Sequence, residues 1–362
     1  MIAQQLQSEL KALQDNSLLR KFPKFRDDVV DLSSNSYLCL EKLPEINERA
    51  LDLCESKLSG ALASRLVFAN TPLFEQLEDA ISKWKKSKEI LLFNSGFTAN
   101  LGIIQTLCDK NTVVFSDRLN HASIIDGIRL SGAKHIRFNH CDYAHLEEVL
   151  RANRTASRKF IVSDRVFSMD GDIADTAALI ALAEENDALL LIDEAHSAGI
   201  FADNYQSENL LVMGTLSKAV AGMGAYLQCS DVVKKYMINK CRPLIYSTAL
   251  PRSVLAWNIA AVEYLSNNNG LGEKLLEKSR LFRDKLSQIG VNFGRSQSQI
   301  IPIITGDNAA AIDLSRRLLE VGVYVPAIRP PTVQINTARC RISLNIGIDN
   351  ILIEKIITTI SN

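Results

Sequence analysis

Several stretches of this sequence set reactive side chains directly after short apolar runs. LLLIDEAHSAG closes on Asp193, with His196 three residues later, and LLVMGTLSKAVAGMG carries Lys218 among small and hydroxyl-bearing neighbours just beyond the next run. A lysine in such surroundings is desolvated, which lowers its pKa from about 10.4 and frees the amine for Schiff-base chemistry. A carboxylate at the mouth of a buried strand can hold a protonated nitrogen. Together this amine and this acid form the pair that pyridoxal 5'-phosphate (PLP) requires, the lysine on its aldehyde and the acid on its pyridine nitrogen. Taken singly, Asp193 could equally cap the helix that follows. FNSGFTANLG reads as a strand, a turn at Ser95 and Gly96, and a helix start whose N–H groups suit a phosphate dianion, or as an ordinary strand-to-helix turn. In SDRLNHASIIDG, His121 either stacks on an aromatic ring or simply opens a helix.

The string DEAH also raises a nucleotide-hydrolysing reading, in which the acid organises magnesium. That chemistry needs a phosphate loop of the form G-x-x-x-x-G-K-[ST], and the chain has no Gly-Lys dipeptide. Composition narrows the field further. Of 362 residues, 41 are Lys or Arg and 41 are Asp or Glu, so no net field draws the chain to nucleic acid or to an anionic membrane, and neither is expected as a partner. Cys39, Cys54, Cys108, Cys141, Cys229, Cys241 and Cys340 are scattered with no C-x-x-C pair, as reduced thiols would be, and no metal site is expected. Ile2, Leu6, Leu10 and Leu13 recur at helical spacing, unlike the apolar core of a signal peptide, and no run of eighteen apolar residues occurs. A cytoplasmic enzyme is the expectation.

The elements that must position these groups follow from periodicity. EILLFNSG, NTVVFSD, KHIRFNH, KFIVSDRVFS, ALLLIDEAH and ENLLVMGTLSK are apolar runs without alternation, as strands buried on both faces of a mainly parallel sheet require. Helical patterns lie between them, so the class is α/β, with ligands expected beyond the carboxyl ends of the strands. That rule selects Ser95, Gly96, Asp117, His121, Ser168, Asp193, His196, Thr215 and Lys218. The polar stretch SNNNGLG, residues 266–272, marks a boundary. The division expected is an N-terminal helical segment, 1–40, a large domain, 41–265, and an α+β domain, 266–362. The latter has strands in IIPIITG, VYVPAIRPP and RCRISLNI and a final helix ILIEKIITTI. The lysines of KWKKSKE read as a solvated helix face.

These segments together, with LNHAS, VFSMDGD, RPLIYSTALP and AIRPPTVQINTARCRIS, resemble the α-oxoamine synthase family of fold type I PLP-dependent transferases, over Asn35 to Ile348. The resemblance implies a PLP enzyme that joins an amino acid to an acyl thioester with loss of carbon dioxide. The Arg-Pro-Pro-Thr-Val stretch looks most like the branch that takes L-alanine and a pimeloyl thioester, carried by coenzyme A or by acyl carrier protein; a relative using another amino acid or acyl group is the alternative. By that resemblance Lys218 is the Schiff-base residue, Asp193 the pyridine-nitrogen partner and His121 the group stacked on the ring. His196 and Ser168 match residues near its phenolic oxygen, and Thr215, Gly96 and Phe97 match the phosphate cradle. Ser247 and Thr248 match residues that reach the neighbouring subunit's phosphate, which implies a homodimer with shared active sites. Arg341 matches the carboxylate-gripping arginine, a bidentate task suited to its fork. Asn35 and Thr332 fall on the substrate side, and Arg329, Arg20 and Lys21 are candidates for the distal carboxylate of the acyl chain.

The sequence departs from the family pattern at particular places. Ala61, Leu62, Ala63, Phe68 and Ala69 stand where relatives have a glycine- and serine-rich run, Ser36 and Cys39 change the Asn-Asp-Tyr-Leu-Gly-Leu segment, and Asp164 and Arg165 replace a glutamate and a glycine. Ser217 and Asn336 replace glycines, and Ile348 stands where histidine is frequent. Added side chains near an acyl-binding loop reshape it, so these changes bear on acyl specificity rather than on PLP binding.

Overall fold

The computed structural model describes residues 2–24, 26–55, 60–87, 89–202, 205 and 207–361. Its strands in chain order are β1 (Val30–Asp31), β2 (Glu89–Phe93), β3 (Thr112–Asp117), β4 (Lys134–Phe138), β5 (Arg158–Asp164), β6 (Leu189–Asp193), β7 (Leu210–Thr215), β8 (Ala225–Cys229), β9 (Ile300–Gly306), β10 (Val323–Tyr324), β11 (Ala327–Ile328) and β12 (Ala338–Ser343). The chain divides into two compact units, one of residues 38–168 and 173–274, the other of residues 1–37, 169–172 and 275–362.

The larger unit is built on a seven-stranded sheet in the order β2-β8-β7-β6-β5-β3-β4. The six apolar runs all form strands, mutually parallel where they pair among themselves. β8 pairs antiparallel with both β2 and β7, and it was not among the runs expected: AYLQC is short, is interrupted by Gln228 and follows a glycine-containing loop. Apolar side chains cover both faces. Ile103, Ile104, Ile124 and Ile128 pack with Val114, Val162 and Leu191 on one side, and Leu146, Leu150 and Leu179 pack with Phe115, Ile161 and Ile192 on the other. Burial pushes the thiols of Cys108 and Cys229 up to about 12, so they act as small apolar core groups.

Register then decides what emerges at the carboxyl ends. β5 and β6 pair Asp164 with Asp193, and β7 and β8 pair Thr215 with Ala225. Successive strand residues point to opposite faces. Asp193 meets the helix Gly96–Leu107, whereas Glu194 takes an ion pair of 2.7 Å from Lys85 of the helix Pro72–Lys85, with the two side chains 1% and 7% exposed. The KWKKSKE segment is therefore not uniformly solvated: the helix turns Lys85 inward while Lys83 and Lys86 are exposed.

In the smaller unit β9, β11 and β12 form an antiparallel sheet, order β11-β12-β9. VYVPAIRPP, expected as one strand, is split into β10 and β11, because Pro326 between them has no N–H to give to a ladder. β10 pairs in parallel with β1, so the N-terminal segment is more than helical: it supplies a strand to the same unit that holds the C-terminal elements. Its helix Ile2–Asp15 buries no residue, and Ile2, Leu6, Leu10 and Leu13 are exposed. No helix among the described residues is long and apolar enough to cross a membrane.

Removing one partner of a buried ion pair leaves the other charge uncompensated. Lys85→Met should cost about 3–5 kcal/mol in urea unfolding, and adding Glu194→Leu should recover most of the loss.

Candidate active site

A cavity of about 230 Å³ opens at the carboxyl ends of β5, β6 and β7. Gly96, Phe97, His121, Ser168, Asp193, His196, Thr215 and Lys218 all line it, together with Ser95, Asn100, Asp164, Ala195, Met213 and Ser217. Lys218 stands in the loop 216–224 between β7 and β8. That loop is closed by Leu216 N–H donating to Gly224 O at 2.9 Å, Gly222 N–H to Leu216 O at 2.8 Å and Ala221 N–H to Lys218 O at 2.8 Å. The Lys218 Nζ donates to Nε2 of the buried His196 at 2.8 Å.

On the wall facing the lysine, the helix Gly96–Leu107 begins with a reciprocal cap. Ser95 Oγ accepts the Thr98 N–H, and the Ser95 N–H donates to Thr98 Oγ1. The N–H groups of the first turn are thereby aimed at the cavity, beside Thr215: a Cβ on Gly96 would lie 3.7 Å from the Thr215 hydroxyl. Thr215 Oγ1 donates to Gly224 O at 3.0 Å and stands 2.9 Å from Ser217 Oγ, so two hydroxyls flank the helix start.

At the floor lie two carboxyl groups. Asp193, 5% exposed, accepts the Ala195 N–H on Oδ1 at 2.8 Å and the Asn100 amide on Oδ2 at 2.7 Å. Capping and site are thus not alternatives for Asp193, since one oxygen serves the turn and the other faces the Asn100 side. Its register neighbour Asp164 is fully enclosed. Burial first, then the charge of Asp193, push the Asp164 carboxyl well above the carboxylate range, while its Oδ1 has no hydrogen-bond partner. The proximity of the two carboxyls thus favours the protonated form of Asp164. His121 forms the N-cap of the helix Ala122–Ser131, and its ring meets Phe97 edge-on at 6.3 Å.

Asn100, Ser123 and Asp164 were not among the site residues expected from the sequence. Asn100 carried a signal: a polar side chain between Ala99 and Ile103 on an otherwise apolar buried helix face must find partners. Asp117, also selected, does not line the cavity. Its carboxylate accepts the N–H groups of Leu119 and Cys141 and lies 3.0 Å from His140 Nδ1. Cys141 Sγ is 3.8 Å from both ring nitrogens of His140, and the cluster fastens the turn after β4. Ser247 and Thr248 are also outside the lining, with Thr248 exposed and its carbonyl accepting the Asn94 amide.

The remaining candidates belong to the smaller unit. Arg341, 5% exposed, donates to Ser343 Oγ at 2.6 Å and to Asn35 Oδ1 at 3.2 Å, and the Tyr37 hydroxyl donates to the same Asn35 oxygen at 2.9 Å. Arg20 donates to Thr332 Oγ1 at 2.7 Å, and Arg329 donates to the Ser17 carbonyl. Lys21 is exposed.

A parallel-centred sheet with an amine, an imidazole pair, a sheltered carboxylate and a capped helix start at its strand ends defines a PLP-dependent transferase of fold type I, and the donor set fits that cofactor: anion holders at one end, an acid at the other, an amine between. The family model for aminotransferases of class I and II matches residues 27–360, and the chain belongs to this family. Two relatives are proteins provisionally named 8-amino-7-oxononanoate synthase. That of Geobacillus kaustophilus is 43% identical over 87% of this chain and 84% of its own length, and that of Bacillus cereus (strain ATCC 10987) is 41% identical over 87% and 82%. Among solved structures, serine palmitoyltransferase from S. paucimobilis with bound PLP and myriocin superposes with a TM-score of 0.91 at 26% identity, covering 98% of this chain and 96% of that one. The 8-amino-7-oxononanoate synthase of Francisella tularensis gives 0.78 at 27% identity, covering 93% and 98%. The protein is a PLP-dependent enzyme of the α-oxoamine synthase class.

A carboxyl whose folded pKa is raised holds its proton above the unfolded pKa, so the folded state is progressively disfavoured as pH climbs from the ordinary aspartate value. Asp164→Asn removes that penalty and keeps an acceptor for the His121 N–H. Thermal unfolding should show the variant gaining on the wild type as pH rises from 4 to 8, with the gap closing toward pH 4.

Proposed function

We propose that the protein condenses L-alanine with a pimeloyl thioester, carried by coenzyme A or acyl carrier protein, to give 8-amino-7-oxononanoate, carbon dioxide and free thiol, an early step of biotin biosynthesis in the cytoplasm. The observation that carries the reading is the convergence of Lys218, Asp193 and His121 on one cavity, in a chain whose relatives bear that enzyme's name. Bound there, the cofactor would supply an aldehyde that takes up amines and a ring that accepts electrons from a carbanion beside the nitrogen.

The chain's own residues divide the work. Asp193, oriented by the Asn100 amide and the Ala195 N–H, would face the pyridine nitrogen and hold the proton there. Lys218, whose amine lies 2.8 Å from His196 Nε2, would hold the aldehyde and would supply the base for the alanine α-proton. Thr215 and the N–H groups of Gly96 and Phe97 would hold the phosphate, and Ser168 would serve the ring oxygen. Arg341, kept rigid by Ser343 and Asn35, takes the alanine carboxylate. Arg20, Thr332 and Arg329 offer charge and hydroxyl for the far carboxylate of the pimeloyl chain.

We further propose a homodimer in which Ser247 and Thr248 serve the partner's phosphate. Their place outside this chain's own cavity supports it, as does the exposed apolar surface at Leu62, Val67, Phe68 and Tyr246. A second reading within the class, another amino acid or acyl donor, is favoured by that same segment, since Leu62 and Phe68 are over nine-tenths exposed where relatives carry small residues.

Incubation with L-alanine and pimeloyl-CoA, with the product weighed by mass spectrometry, tests the reaction: the mass of 8-amino-7-oxononanoate is expected, and its absence from PLP-loaded protein, with product from another amino acid or acyl thioester, would move the assignment to the second reading. Lys218→Ala should lower turnover by several orders of magnitude with the fold intact by circular dichroism. Arg341→Ala should raise the KM for alanine about tenfold to a hundredfold, the loss of a charge-assisted contact of about 1.5–3 kcal/mol.

A further inference from the structure

Beneath the cavity the buried polar groups form one line whose hydrogens can be assigned. Asn100, 1% exposed, donates through Nδ2 to Asp193 Oδ2 at 2.7 Å and to Ser123 Oγ at 3.0 Å. An amide nitrogen has two hydrogens, so both are used, and Asn100 Oδ1 is left buried without a partner. The reverse placement would set an amide oxygen against a carboxylate oxygen, so Asp193 fixes which end of the amide faces it. Ser123 is fully buried, and its Oγ lies 2.8 Å from His121 Nδ1. Having accepted from Asn100, the hydroxyl has its single hydrogen free for that nitrogen. The backbone N–H of Ser123 is directed to the same Nδ1 at 3.3 Å, and a backbone N–H only donates. The backbone N–H requires a lone pair on Nδ1, and that lone pair also gives the buried hydroxyl's hydrogen its acceptor.

We propose that Asn100 and Ser123 are positioning residues that relay the hydrogen-bond orientation fixed by Asp193 to His121 and hold its imidazole as the neutral Nε2–H tautomer, so that His121 meets the substrate as a hydrogen-bond donor and not as a base. Nδ1, the basic nitrogen, is turned to Ser123, and a proton there would face the Ser123 N–H. Burial, the largest influence, and the Lys218 charge also lower the proton affinity of His121, against the pull of Asp193 and Asp126. With His121 unable to accept a proton from the cavity side, Lys218 is left as the group that moves it. The donor role rests on the PLP reading given above; the tautomer does not, since it is measured without substrate.

The chain has five histidines, so ring-nitrogen NMR of the holoenzyme labelled with ¹⁵N-histidine is tractable, with His121→Gln identifying the resonances. In the wild type, His121 Nδ1 should resonate in the unprotonated range and Nε2 in the protonated range. Asn100→Ala frees the Ser123 hydroxyl to turn and accept, so a proton on Nδ1 becomes tolerable, and the affinity of His121 for a proton should rise about tenfold, one pKa unit. Ser123→Ala should shift the titration the same way, and Ser123→Thr should restore the wild-type spectrum. A wild-type His121 protonated on Nδ1 and bare on Nε2 overturns the proposal. An Asn100→Ala spectrum and midpoint equal to wild type also overturns it, and if that variant does not fold, identical spectra for Ser123→Ala and Ser123→Thr do so. An Nε2–H tautomer in an enzyme that makes no product from alanine and pimeloyl-CoA upholds this inference while sinking the substrate assignment.

Discussion

A carboxyl group sealed at the end of a central strand is expensive unless donors face it, and Asp193 is the group around which the larger unit is arranged. One oxygen is met by the Ala195 N–H of its own turn, the other by Asn100 from a helix 93 residues earlier in the chain. Burial and the charge of Asp193 raise the pKa of its in-register neighbour Asp164 well above the carboxylate range. On the other face Glu194 has Lys85, so the two acids of one dipeptide are met by different helices on opposite sides of the sheet, one by an amide and the other by an ammonium. The helix that supplies Asn100 also presents its capped start to the cavity, so an error in its placement would disturb both ends of a bound cofactor at once.

Much of this was legible along the chain. The apolar runs located six strands and the residues that close them, and the strand-end rule then named Gly96, His121, Ser168, Asp193, His196, Thr215 and Lys218, which line one cavity. Their convergence was legible because each depends on a local pattern: apolar residues that stop and a polar residue that follows. What was missed depends on partners distant in sequence. Asn100 and Ser123 acquire their roles only when two helices pack face to face under β6, and Lys85 turns inward only because Glu194 waits there. β8 escaped because its five residues include Gln228, and its identity as a strand is conferred by β2 and β7 on either side.

The smaller unit shows the same division. Its sheet strands and last helix follow their apolar patterns, while the pairing of Val30 with Val323 could not be read from either segment. A two-residue strand has almost no pattern of its own; its register is set by what surrounds it. The cluster of Arg341, Asn35, Tyr37 and Ser343 is likewise a property of the folded chain, with Arg341 and Asn35 lying 306 positions apart and sharing one hydrogen bond.

The antiparallel course of β8 has a mechanical consequence for Lys218. Because Thr215 and Ala225 face each other in register, the loop that bears the lysine is pinned at both ends by one rung of the sheet and stitched across by Leu216 with Gly224 and Gly222. Had β8 run parallel, the same lysine would ride on a long crossover free to breathe with its helix. As built, the backbone is a fixed post, and the four-carbon stem of the side chain is the only swinging arm; an insertion in this hairpin would move the hinge itself, and no rotamer of Lys218 could bring the amine back.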